Sequence, residues 1–210
     1  MKIVCVGFNK TGTTTLQRCL EIVGFGPVAS PERFMRAYQY FLAQKHPHFH
    51  WQAGGLTPLL RYVVERVLSD EDHNAALTIA EHFTAFKDRP WNVGELYQGL
   101  DRKYPGSKFI LTVRDTDKWW MSASRWLQLH KENTGKREMY CLHLGVEDWS
   151  EMPCKRAYEA RNEAIRRYFS GREQDFLEVN FEQGDDWHLL CPFLGVATPQ
   201  IAFPHENRGR

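Results

Sequence analysis

The chain is 210 residues long, 42% hydrophobic and 25% charged, with a formal net charge of +1; these values fit one globular domain with a substantial core. That balance speaks against a nucleic-acid partner, and no run approaches the ~18 apolar residues of a membrane span. The chain enters a strand at once, leaving no room for a signal peptide, and its five cysteines lack C-x-x-C spacing, which fits a reduced, cytosolic protein.

Residues 2–8 (KIVCVGF) form a β-branched apolar run ending near glycine, a buried strand. Apolar residues at 16, 19, 20 and 23 then predict a helix that stops at Gly24. Prolines and glycines punctuate 26–57 around a helical stretch at 32–44, and 56–69 predicts a further helix. A short strand within 83–91 stops at the turn Asp88–Arg89–Pro90. Residues 93–104 predict a helix closed by Pro105–Gly106, 108–114 (KFILTVR) an interior strand, and 115–131 a helix. The stretch 132–154 reads as polar and irregular, 155–169 as an amphipathic helix, 175–181 as a strand and 185–195 as a closing helix. Strands alternating with helices predict an α/β fold with a mainly parallel central sheet. Ligands of such sheets bind at the carboxyl ends of the strands, which nominates 7–14, 86–90, 114–116 and 180–183.

The first of these segments, GFNKTGTT, lies close to the nucleotide-triphosphate pattern G-x-x-x-x-G-K-[ST]. Gly7, Gly12 and Thr14 fit it. The lysine does not, because position 13 is Thr13 and the lysine is Lys10, inside the loop. A glycine turn at a helix amino terminus is an anion nest, to which the threonine hydroxyls and Lys10 add donors. A basic residue, Arg114, follows the apolar strand where a magnesium carboxylate would stand in a triphosphate site, with Asp115 as the alternative ligand. Together these favour a phosphate ligand with no metal.

The loop Lys10-Thr11-Gly12-Thr13-Thr14 resembles the K-[ST]-G-T-T loop of sulfotransferases that use 3′-phosphoadenosine 5′-phosphosulfate (PAPS), in which it cradles the 5′-phosphosulfate. That family also carries an Arg at a strand end and a Ser eight residues later, which hold the donor's 3′-phosphate; Arg114 and Ser122 match in order and spacing, with Ser124 a competing register. The stretches 108–126 and 176–195 are further similar to its small bacterial-type branch. The resemblance implies a P-loop-type three-layer domain spanning 1–210, with PAPS as donor, 3′,5′-ADP as product and no metal. The same resemblance makes Lys87 the match of a family lysine after the second strand. Arg89 stands where the family's histidine base falls, which leaves Asp88 as the leading base and Glu81 and His82 as second choices. Segments 27–57 and 131–155, long irregular connections, are expected to form a lid over a small-molecule or glycan acceptor. His46, His48 and His50 fit an acceptor-facing or surface loop better than a metal site. The basic residues of 155–169 fit a solvated face, Trp119 and Trp120 fit packing, and Arg208 or Arg210 would add a further phosphate contact. The rivals are a nucleotide-binding protein without turnover and a divergent ATP/magnesium kinase.

Overall fold

The structure, a computed structural model, describes residues 1–45, 61, 63–67, 73–132 and 134–206. Strands β1 (Ile3–Cys5), β2 (Ala85–Phe86), β3 (Lys108–Thr112) and β4 (Phe176–Val179) pair in parallel in the order β2-β1-β3-β4. Val4 lies opposite Phe86 on one side and Phe109 on the other, and Thr112 lies opposite Val179. All four strands therefore end at the same edge. The chain runs from β1 to one neighbour and then crosses back to the other, so the switch point where α/β sheets bind ligands lies at the end of β1.

Both faces of the sheet are covered, which is why its strands carry nearly continuous apolar residues. On one face Ile3, Cys5, Ala85, Ile110 and Val179 pack against α1 (Thr13–Ile22) and α8 (Trp187–Leu194), through Leu16, Leu20, Leu190 and Leu194. On the other, Val4, Val6, Phe86, Phe109 and Leu111 meet α2 (Pro31–Lys45), α4 (Leu96–Lys103) and α7 (Glu151–Tyr168), and helical residues 63–67 join the same cluster. Helix α3 (His73–Ile79) adds Ala76 and Ile79. Each fully buried Val, Leu, Ile or Phe among these contributes roughly 1.5–3 kcal/mol of transfer free energy. A third cluster of Phe8, Trp119, Leu127, Tyr140 and Tyr158 closes over the loop after β1, and joins α5 (Thr116–Leu129), α6 (Thr134–Leu144) and α7. The three layers are those expected; most elements are shorter than their sequence ranges, whereas α2 extends one residue beyond its range at each end and α7 begins four residues earlier.

One expectation is overturned. Residues 132–154 are not irregular: α6 occupies 134–144, and α7 begins at Glu151 rather than 155. The polar run Lys136–Arg137–Glu138 masks a buried face formed by Met139, Tyr140 and His143, and a buried histidine breaks the apolar stripe that would signal a helix. Pro153 sits in the first turn of α7, where its missing N–H leaves no hydrogen bond unmade. Residues 46–60, with His46, His48 and His50, lie outside the described residues, as do Arg208 and Arg210. Among the described residues no helix is long and apolar enough to cross a membrane. The five cysteines are buried and unpaired, and burial pushes the Cys5 and Cys19 thiols up to about 12.

Candidate active site

The loop after β1 is shaped by two glycines and one strained lysine. A Cβ on Gly7 would lie 2.7 Å from the Thr112 carbonyl oxygen, and closer still to its hydroxyl. Gly12 is left-handed, with φ 100°, and a Cβ there would lie 2.8 Å from the Phe181 ring. The Thr11 hydroxyl shares a 2.6 Å hydrogen bond with the Thr112 hydroxyl and donates to the Phe8 carbonyl, which pins the loop to β3. Lys10 is also left-handed, with φ 73°, a conformation that costs a residue with a Cβ about 1–2 kcal/mol. Among the described residues no side chain caps the amino end of α1. The first N–H groups of that helix, at Thr13, exposed Thr14 and Thr15, are therefore open to an anion.

The Lys10 ammonium lies 5.8 Å from the centre of the Trp126 ring. Its pKa is lowered by burial first and by the Arg114 charge second, with Asp88 acting in the opposite sense. Crowding one cation against another beside an uncapped helix end is unfavourable until an anion arrives. An arrangement of this kind can receive an anion.

At the end of β2, Lys87, Asp88 and Arg89 are all buried, at 5–8% exposure. The Asp88 carboxylate accepts from Asn9 Nδ2 at 2.9 Å and meets Lys87 Nζ at 3.2 Å. Asp88 has φ 57°, so two non-glycine residues in left-handed geometry, Lys10 and Asp88, sit beside one another across the switch point. Strain of this kind clusters at functional sites.

At the end of β3, Arg114 donates from Nη1 to the Lys10 carbonyl at 3.4 Å, and Tyr158 brackets its backbone. Its Nη2 pairs with Glu182 Oε1 at 2.5 Å, and Lys118 Nζ stands 3.8 Å from the other oxygen of that carboxylate. The buried Arg114 Nε has no hydrogen-bond partner among the described residues. Asp115 caps α5 by accepting from Lys118 N at 3.0 Å, so its carboxylate serves the helix. On α5 the Ser124 hydroxyl accepts from Trp149 Nε1 at 3.1 Å; Ser122, half-buried, is not engaged that way. A cavity of about 490 Å³ opens beside Arg114 between β3, β4 and α7, with Tyr158, Asn162, Arg166, Asn180 and Gln183 in its wall.

Residues that sequence reasoning passed over hold this arrangement from beneath. Asn92 Nδ2 donates to the Gly7 carbonyl at 2.8 Å. Arg161 Nη2 donates to the Val6 and Asn92 carbonyls at 2.7 and 2.8 Å, and burial lowers its pKa to about 10. His143 Nε2 lies 2.7 Å from the Asn92 carbonyl, its ring 4.5 Å from that of Phe8. Burial first, then Arg161 and Arg89, hold the imidazole pKa well below its ordinary value, so it is neutral and donates from Nε2. The run MYCLHL at 139–144 was the one available signal, since its spacing puts Tyr140 and His143 on one helix face.

Other candidates fall elsewhere. Glu81 and His82 precede β2 and so lie at the amino ends of the strands, where Glu81 pairs with Lys103. On α7, Lys155 pairs with Asp117 and Arg166 with Glu178, whereas Arg161 is interior and not part of a solvated face. Trp119 stacks on Tyr158 at 4.3 Å and donates to the Asn9 carbonyl, and Trp120 stacks on Trp149; both pack. Among the described residues no group of three or more His, Cys, Asp or Glu could hold a metal ion.

A family model described as a sulfotransferase domain matches residues 2–210. No curated protein matches the chain.

Proposed function

The chain belongs to the sulfotransferase domain family, and on that premise we propose that it moves a sulfuryl group from PAPS to the hydroxyl or amine of a small-molecule or glycan acceptor. The other product is 3′,5′-ADP. One observation carries the reading. Two anion-seeking groups flank the switch point: the uncapped end of α1 with Lys10, and Arg114 held by a displaceable carboxylate. A donor phosphorylated at both 5′ and 3′ positions needs such a pair.

In this reading Lys10, Thr11, Gly12, Thr13 and Thr14 hold the 5′-phosphosulfate, and Arg114 and Ser122 hold the 3′-phosphate. The cavity beside Arg114 has room for the rest of the nucleotide. The acceptor oxygen attacks sulfur, and the bond from sulfur to the bridging oxygen breaks with its electron pair going to the 5′-phosphate. Lys10 stabilises that developing charge. The acceptor proton goes to Asp88, which Asn9 and Lys87 orient. A sulfuryl group carries less charge than a phosphoryl group, so the cations of the chain suffice and no metal is required.

The test is release of 3′,5′-ADP from PAPS in the presence of EDTA and an acceptor panel, by wild type and Asp88→Asn. Loss of a positioned base costs about 10²–10⁴ in rate, with 3′,5′-ADP affinity retained. Activity that survives Asp88→Asn removes Asp88 as the base. A second reading, nucleotide binding without turnover, is favoured by one fact: both Asp88 oxygens are already engaged. A wild type that binds 3′,5′-ADP and transfers to nothing would support it.

A further inference from the structure

Arg89 is the group the donor reading does not use. It is 5% exposed, its guanidinium donates to the Tyr140 hydroxyl, and its Nε and Nη1 are buried with no hydrogen-bond partner among the described residues. Its guanidinium carbon lies 5.0 Å from the centre of the Tyr140 ring. Asp88, the adjacent carboxylate, is committed to Lys87 and Asn9, and among the described residues no carboxylate pairs with Arg89. The neighbouring His143 is neutral, and among the described residues its Nδ1 is unpartnered as well. A guanidinium is always charged, and burying one with two of its nitrogens unsatisfied is costly. Folds carry that cost where a ligand relieves it.

The surroundings indicate which ligand. Arg89 stands at the carboxyl end of β2, beside Asp88 and on the side of Lys10 away from Arg114 and its cavity. Tyr140 stacks on Trp126 at 5.6 Å, and Lys10 and Lys136 both lie over the Trp126 ring. Aromatic faces bordered by cations suit a ring that bears a negative group.

We propose that Arg89, with the Tyr140–Trp126 wall, is an acceptor subsite for an oxyanion, so that the acceptor carries a carboxylate or equivalent group beside its nucleophilic hydroxyl. This rests on the sulfotransferase reading, in which the side of Lys10 opposite the nucleotide receives the acceptor. Arg89 is then the specificity determinant that selects charged acceptors over neutral ones.

The experiment uses matched acid and amide probes, 4-hydroxybenzoate with 4-hydroxybenzamide and glycolate with glycolamide. Each is titrated into the full chain with and without saturating 3′,5′-ADP, in wild type, Arg89→Gln and Arg89→Lys. At least one acid binds wild type about tenfold or more tightly than its amide, the loss expected for a hydrogen bond to a charged group. Arg89→Gln abolishes the difference and Arg89→Lys restores part of it. Binding of 3′,5′-ADP stays within about twofold in all three proteins, which also shows that the variants are folded. Acids and amides that bind alike, or an acid preference that survives Arg89→Gln, overturn the proposal. So does an Arg89→Gln protein whose melting temperature collapses while its acid preference persists, since Arg89 is then structural. If the acid preference follows Arg89 but 3′,5′-ADP binds nothing, the subsite stands and the donor reading falls.

Discussion

Replacing Glu182 with glutamine should strengthen binding of 3′,5′-ADP. The Glu182 carboxylate occupies Arg114, with Nη2 and Oε1 2.5 Å apart, and any 3′-phosphate that uses Arg114 must displace it. Coulomb attraction at that distance is about 1.7 kcal/mol in water and about 6.6 kcal/mol at an effective dielectric of 20. The Glu182 side chain is 40% exposed and that of Arg114 is 25% exposed, so desolvation, side-chain entropy and screening cancel most of it. Measured values for such pairs are about 0.2–1 kcal/mol. Removing the competitor also removes its repulsion of the incoming phosphate, worth about 1 kcal/mol per unit charge at 4 Å in water. The expected gain is about 1 kcal/mol, a fivefold tighter complex. Isothermal titration at low salt reads it directly, with 5′-ADP, which lacks the 3′-phosphate, as control. The gain for 3′,5′-ADP shrinks as salt rises, and 5′-ADP shows none. Weaker or unchanged binding of 3′,5′-ADP by Glu182→Gln, or an equal gain for 5′-ADP, would refute the assignment of Arg114 to the 3′-phosphate.

The remaining predictions concern the loop and its support. Lys10→Ala should weaken 3′,5′-ADP binding by about 1.5–3 kcal/mol, the worth of a hydrogen bond to a charged group, measured by the same titration. Because the free-state pKa of Lys10 lies below 10.5 and a bound anion raises it, wild-type affinity should fall as pH climbs through that lowered value, and Lys10→Met should flatten the fall. Gly7→Ala forces a Cβ against Thr112 and should cost about 3 kcal/mol or more in urea unfolding, at the severe end of single substitutions; a loss below 1 kcal/mol would show that the loop can shift away from β3. His143 has a folded pKa well below that of the unfolded chain, so the unfolded state binds the proton first. Stability then falls as pH drops below about 6.5, by up to about 1.4 kcal/mol per unit. Urea melts of His143→Gln across this range should show a shallower slope; an unchanged slope would place the acid sensitivity elsewhere.

Much of the candidate site's layout was legible because its determinants are local. Gly7, Lys10 and Gly12 are spaced by the geometry of one strand–turn–helix, and that spacing survives in the chain as text. Arg114 was legible as a basic residue ending an apolar strand. Ser122 and Ser124 could not be separated from sequence, because what separates them is Trp149, which is 25 residues from Ser124 and donates to it. Helix α6 was missed for a related reason. Its inward face uses Tyr140 and His143, which pair with Arg89 and the Asn92 carbonyl across the fold, so nothing nearby marks them as interior. Arg161 was misplaced on a solvated face because arginines are usually exposed, whereas here the carbonyls of Val6 and Asn92 receive it. Polar residues recruited by distant backbone carry no local periodicity. Those are the positions where pattern reading fails.

The central claim is a site for a nucleotide phosphorylated at 3′ and 5′ that works on the cations of the chain. The most direct measurement is thermal stability in EDTA with 3′,5′-ADP, set against ATP with magnesium. At 100 times its dissociation constant a ligand stabilises by about 2.7 kcal/mol, a rise of roughly 5–10 °C for a domain of this size. The account predicts that rise with 3′,5′-ADP alone, undiminished by the chelator and lost in Arg114→Ala. A rise seen only with ATP and magnesium would contradict it.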